Sequence, residues 1–151
     1  MVSQRTQLSL RVTHPTRDLA IVCQTLGLRP KVIWRRGDER KTPNGRSIGG
    51  LRDHSYCVID LGVASKVGLP TKIESTVKTL KPHRSLLRKL DSEGGRISFS
   101  VGWFCDKDTG EAFDHEILAQ MADLRIALDL YIYIPDVVKS AVRKSSKRRA
   151  D

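Results

Sequence analysis

The chain has 151 residues, 39% hydrophobic and 29% charged, which is enough for one soluble globular domain and leaves little for a second. No apolar run approaches the roughly 18 residues of a membrane span, and Met1 to Leu10 lacks the apolar core of a secretion signal. Against 17 acidic side chains stand 27 basic ones, a formal +10, while three cysteines at unrelated spacings (Cys23, Cys57, Cys105) point to a reducing cytoplasm and away from a disulfide framework.

Residues 6–13 alternate, with Leu8, Leu10 and Val12 on one face, and predict a half-buried strand. A helix is expected from Pro15, capped by Thr13 or His14, with Asp18 in its first turn. Its stripe is Leu19, Val22, Cys23 and Leu26, and Gly27 stops it. Lys31 to Arg36 reads as a short strand. The turn signals Pro43-Asn44-Gly45 and Gly49-Gly50 mark Arg40 to Gly50 as a loop or hairpin. Ser55 to Leu61 returns as a strand. Thr71 and Glu74 form a capping box for a helix striped by Ile73, Val77 and Leu80. Pro82 should break that helix, and a second piece carries Leu86, Leu87 and Leu90 to Gly94-Gly95.

Arg96 to Phe104 alternates cleanly, placing Ile97, Phe99, Val101 and Trp103 together. Asp114 is placed to cap a helix bearing Ile117, Met121 and Leu124. Ile126 to Ile134 gives the strongest strand signal, with Leu128, Leu130 and Ile132 inward and Asp129, Tyr131 and Tyr133 outward. Pro135 ends it. The predicted core joins Leu8, Leu10, Leu26, Ile97, Phe99 and Val101 to Leu128, Leu130 and Ile132. The order implies an α+β two-layer sandwich, an antiparallel or mixed sheet with helices on one face. Its start matches a ferredoxin-like βαββαβ arrangement, followed by αβ. Residues 1–136 are read as a single α+β domain, and 137–151 as a short helix and basic tail.

The charge is concentrated. Between Arg29 and Arg52, eight basic residues face only Asp38 and Glu39, and from Lys139 to Asp151 six face Asp151 alone. The rest of the chain is close to neutral, so a basic loop and a basic tail flank an otherwise balanced domain, an arrangement suited to an acidic partner. Phosphate-cradling glycine loops and C-x-x-C spacings are missing, and no histidines sit three or four apart on a helix. Asp106-x-Asp108-x-Gly110 resembles a calcium loop, but Gly110 falls on a ligand position and Ile117 on that of the bidentate glutamate, so a turn is expected. His14 and His115 sit at helix starts as caps, whereas Cys23 and Cys57 read as small buried hydrophobes. No metal or cofactor is implied.

The candidate binding residues are Trp34, Arg35, Arg36, Arg40, Lys41 and Arg46. Guanidinium forks bind phosphates and carboxylates bidentately, and an indole can stack a base. The competing reading makes Trp34 a core residue and the charges a solvated hairpin. A developed RNA-recognition surface needs more exposed aromatics on one sheet face. Phe99 and Trp103 look like core instead; Tyr131 and Tyr133 could supply such a face, with Asp129 beside them counting against it.

Leu26-Gly27-Leu28-Arg29-Pro30 at the first helix end, then Trp34-Arg35-Arg36-Gly37-Asp38, then the closing Leu128-Asp129-Leu130-Tyr131-Ile132-Tyr133, resemble a bacterial family catalogued as domain of unknown function 4279. The resemblance spans about Leu8 to Ile134. It departs at Ser55-Tyr56-Cys57, where members often carry a tryptophan. It implies no established activity, though by analogy small bacterial domains of this sort are sometimes proposed as immunity partners of toxins. The leading expectation is a non-catalytic cytoplasmic binding module for an acidic protein or polyanion, acting through the Trp34–Arg52 loop. The first alternative is a nucleic-acid-binding protein using that loop with the C-terminal tail. The second is an enzyme whose site is assembled from distant His, Cys and Asp residues.

Overall fold

The computed structural model describes residues 5–64 and 67–136. The chain opens with β1 (Arg5–His14), whose even-numbered residues from Thr6 to His14 are buried while the odd ones are not, as period-two alternation dictates. The helix that follows, α1 (Leu19–Leu26), starts later than Pro15. Asp18 is its N-cap rather than a first-turn residue, accepting from the Ala20 amide at 3.0 Å. His14 instead closes the intervening turn: its Nδ1 accepts from the amides of Thr16 and Arg17 at 3.1 and 2.8 Å. That leaves Nε2 to carry the proton and donate to Glu93 at 3.2 Å.

Three short strands follow: β2 (Val32–Trp34), β3 (Glu39–Lys41) and β4 (Ser47–Leu51), then the longer β5 (Ser55–Val63). The helix α2 (Leu69–Leu80) begins two residues before Thr71, with Gly68 as N-cap, so the expected capping box lies inside the helix and caps nothing. Pro82 does divide the helical stretch. A 3-10 turn over Lys81–His83 separates α2 from α3 (Arg84–Ser92), because proline withholds the amide that an α-helix needs. Then come β6 (Arg96–Phe104), α4 (His115–Asp123) and β7 (Ile126–Tyr133). Asp114 holds the N-cap position of α4 in extended conformation but makes no side-chain capping bond.

The main sheet has the order β2-β5-β1-β6-β7, and β3 pairs only with β4. Every main-sheet pairing is antiparallel except β6 with β7, which is parallel because α4 carries the chain back between them. Without β7, the strands connect as the expected ferredoxin-like unit, with the β3–β4 hairpin inserted between its second and third strands. The fold is therefore α+β with a mixed sheet. One cluster forms the core, joining Leu8, Leu10, Ile97, Phe99 and Val101 of the sheet to Leu19, Ile73, Val77, Leu87 and Met121 of the helices.

The expected core reached too far along β7. Leu128 is partly buried against the cluster, but Leu130 and Ile132 are 46% and 63% exposed. Their face is the expected one, since they pair in register with Val101 and Trp103. What is missing is cover. The nine residues of α4 extend about 14 Å, and the eight of β7 about 26 Å. Only Ala122 to Arg125 make the turn between them, so α4 lies over the start of β7 and cannot reach its end. The expected short helix and tail, 137–151, lie outside the described residues.

Candidate binding surface

Helices cover one side of the sheet. The register places on the other side the odd positions of β1 and β7 and the even positions of β2, β5 and β6. Trp34 lies beside Tyr56 at one corner of this face, and Phe104 beside Tyr133 at the opposite corner, with Tyr131 one row inward. Five of the chain's eight Phe, Trp and Tyr residues thus share one surface, where they do not serve the core. As expected, Phe99 and Trp103 are buried on the helical side.

At the first corner the Trp34 ring stacks on Tyr56, with centroids 4.5 Å apart, and the Arg52 guanidinium lies 3.8 Å from the Trp34 centroid. Arg52 is held there by the root of the β3–β4 hairpin: its amide donates to the Asp38 carbonyl, and its carbonyl accepts from Gly37, both at 2.8 Å. Trp34 is half-buried in this sandwich and does not belong to the hydrophobic core, which corrects the core reading of that residue. At the opposite corner Phe104 stacks on Tyr133 at 4.8 Å, with the Arg5 guanidinium 4.7 Å from the Phe104 centroid. Gly102 lies beside this stack, where a Cβ would be in ordinary contact, 3.4 Å from the Phe104 ring and 3.6 Å from that of Tyr133.

A hollow of about 210 Å³ lies between the corners, lined by Gln7, Arg11, Lys31, Ser100, Gly102 and Tyr131 among others. Arg11 reaches toward the Tyr131 ring, 5.8 Å from its centroid, and its Nε meets no hydrogen-bond partner. Asp129, which counted against an anion-binding face, is neutralised. Arg96 donates two bonds to it at 2.8 Å, holding its carboxyl below the usual range, with a smaller lowering from Ser98. Asp60 accepts from the Gly62 amide at 2.8 Å and keeps its negative charge beside the hollow. Arg5, Arg11, Lys31 and Arg52 outnumber it and make this face positive.

The β3–β4 hairpin adjoins the Trp34 corner and is exposed throughout. Gly49 and Gly50 both take left-handed φ near +80°, where other residues are strained, and the pairing register slips between Glu39 and Lys41. Arg40, Lys41 and Arg46 are carried here, away from the core. Arg36 precedes the hairpin, its amide donating to the Ser55 hydroxyl at 3.1 Å. Arg35 turns aside to within 3.9 Å of the Asp18 carboxylate. The six candidate residues thus divide: Trp34 belongs to the sheet face, Arg36, Arg40, Lys41 and Arg46 to its basic margin, and Arg35 to the α1 cap. Tyr56, Phe104, Arg5 and Arg11 were missed, and Arg52 was read only as the end of the basic loop. Strand parity would have grouped some of them, but only the pairing of distant strands brings them together.

The two core thiols are poor nucleophiles. Cys23 and Cys57 face each other inside the core with sulfurs 3.9 Å apart, and burial pushes Cys57 up to about 12, aided by Cys23. Among the described residues no cluster of three or more His, Cys, Asp or Glu could hold a metal ion, and no helix is long and apolar enough to cross a membrane.

Residues 4–135 match the model of one protein family, described as Domain of unknown function (DUF4279). No curated protein and no solved structure matches the chain.

Proposed function

The chain belongs to the DUF4279 family, and because that membership assigns no activity, we propose from the surface itself that this protein is a binding module rather than an enzyme. It takes an anionic partner, an acidic protein face or a polyanion, on the β3–β4 hairpin and the sheet face beside it.

One contrast carries this reading. Five arginines on the helical side and at the sheet's far edge are held by carboxylates: Arg17 by Glu93, Arg84 and Arg88 by Asp123, Arg96 by Asp129, Arg125 by Asp91. In and beside the hairpin, Arg36, Arg40, Lys41 and Arg46 have no carboxylate at ion-pair distance among the described residues. Unpaired cations clustered on an exposed hairpin raise the local concentration of anions, and guanidinium forks then bind carboxylate or phosphate oxygens.

The test is a titration of the full chain with polyglutamate and with inorganic polyphosphate over a range of salt. Binding that weakens as salt rises is expected. For polyphosphate, the combined Arg40→Glu, Lys41→Glu and Arg46→Glu variant should flatten the plot of log affinity against log salt by about 2, near 0.7 for each phosphate no longer neutralised along a single strand. A variant that binds both polymers as the parent does would overturn the reading.

A further inference from the structure

We propose that the polyanion is a single-stranded nucleic acid, laid across the open sheet face with its bases on the aromatic rings and its phosphates on the flanking cations. This deepens the reading just given and rests on it.

Charge alone does not account for this face. An acidic protein needs cations, and the hairpin supplies them. It has no use for aromatic rings that sit outside the core, with Tyr131 and Tyr133 45% and 50% exposed. The open rings of Tyr131 and Tyr133 on a positively charged sheet suit a ligand that alternates flat apolar groups with negative ones, and unpaired nucleotides have that composition. Rings and cations are interleaved: Arg5 lies over Phe104, which stacks on Tyr133; Arg11 reaches toward Tyr131; and Arg52 lies over Trp34, which stacks on Tyr56. The space between them is hollow rather than filled, and its floor offers the hydrogen-bonding groups of Gln7, Ser9 and Ser100. Arg11 Nε lacks a partner beside this hollow. Double-stranded nucleic acid hides its base faces within its own stack, so the rings select single strands. The hairpin's cations lie at the Trp34 corner, where they extend the phosphate track beyond the sheet edge.

The experiment uses the full chain with labelled oligo-U and oligo-dT, followed by anisotropy and by intrinsic Trp and Tyr fluorescence. Competitors are a duplex of matched length, inorganic polyphosphate of matched charge and polyglutamate. Single strands should bind more tightly than any competitor and quench the intrinsic fluorescence. The Tyr131→Ala/Tyr133→Ala variant should weaken single-strand binding by about 5- to 150-fold for each base stacked, and leave polyphosphate binding unchanged. The Tyr131→Phe/Tyr133→Phe variant keeps both rings and should bind as the parent does; it controls for loss of the hydroxyls. Circular dichroism of both variants checks that the sheet is intact.

Equal affinity for polyphosphate and single strands, or an alanine variant that binds oligonucleotides normally, would overturn the inference and leave the anionic-partner reading standing. Tighter binding of polyglutamate or of duplex would overturn it in favour of an acidic protein or a double-stranded ligand. Failure to bind any of these polymers at low salt would remove both proposals together.

Discussion

Trp34 shows how one side chain can mislead a reading of composition. A tryptophan in a chain with 5% aromatics looks like core material. Here the even register of β2 turns it away from the helices, and Tyr56 and Arg52 enclose it on the solvent side. Truncating it therefore removes one aromatic stack and one cation–π pair. Trp34→Ala should cost about 1–2 kcal/mol in urea unfolding, whereas Leu10→Ala, at a fully buried position, should cost about 2–5 kcal/mol. A Trp34 variant as damaging as the Leu10 one would place the indole in the core after all. The cysteines differ in the same local way. With Cys57 pushed up to about 12, its thiolate fraction at pH 8 is on the order of 10⁻⁴, and its side chain is buried. Thiol labelling of the native chain, read by peptide mass, should modify the partly exposed Cys105 first.

At the scale of elements, alternation made β1, β5, β6 and β7 legible, because period two requires only a buried face and an open one. Pro82 was legible as a break for an equally local reason, its missing amide. Helix starts were less so. Pro15 and Thr71 are both good starting residues, but Asp18 and Gly68 take the cap positions. The extent of burial along β7 could not be read at all. It depends on the length of α4 against the length of the strand, and on which strand that helix overlies. Leu130→Ala should accordingly cost only about 1 kcal/mol, the scale of a half-covered leucine, far below the value for Leu10→Ala. Equal costs at the two positions would show that something covers the end of β7.

Across the whole molecule, the candidate surface was half legible. The basic hairpin is contiguous in sequence and stands out as a charge cluster. The aromatic face is assembled from four strands, and no local pattern reports that Tyr56, Phe104 and Tyr131 share it. The same long-range pairing sets the ion pairs that tie distant elements to one another. Glu93 is held below its ordinary range chiefly by Arg17, Asp123 by Arg84, and Asp129 by Arg96. The folded state therefore binds fewer protons than the unfolded chain in the acid range. These carboxylates contribute stability above the ordinary carboxylate pKa range, and that contribution is lost as pH falls through their lowered values. Thermal melts should show a midpoint that falls on acidification below about pH 4. Arg96→Gln should weaken that dependence, and a dependence identical to the parent's would mean that the Arg96–Asp129 pair is not formed in solution.

The surface proposed to meet the partner is the helix-free side of the sheet together with the hairpin. Backbone amide NMR of the full chain during titration with short oligo-U locates the contact directly. Shifts concentrated at Arg11, Ser100, Gly102, Tyr131 and the hairpin from Glu39 to Leu51 are the result expected. Shifts confined to α1 through α4, with the open face and hairpin unmoved at saturation, would contradict it.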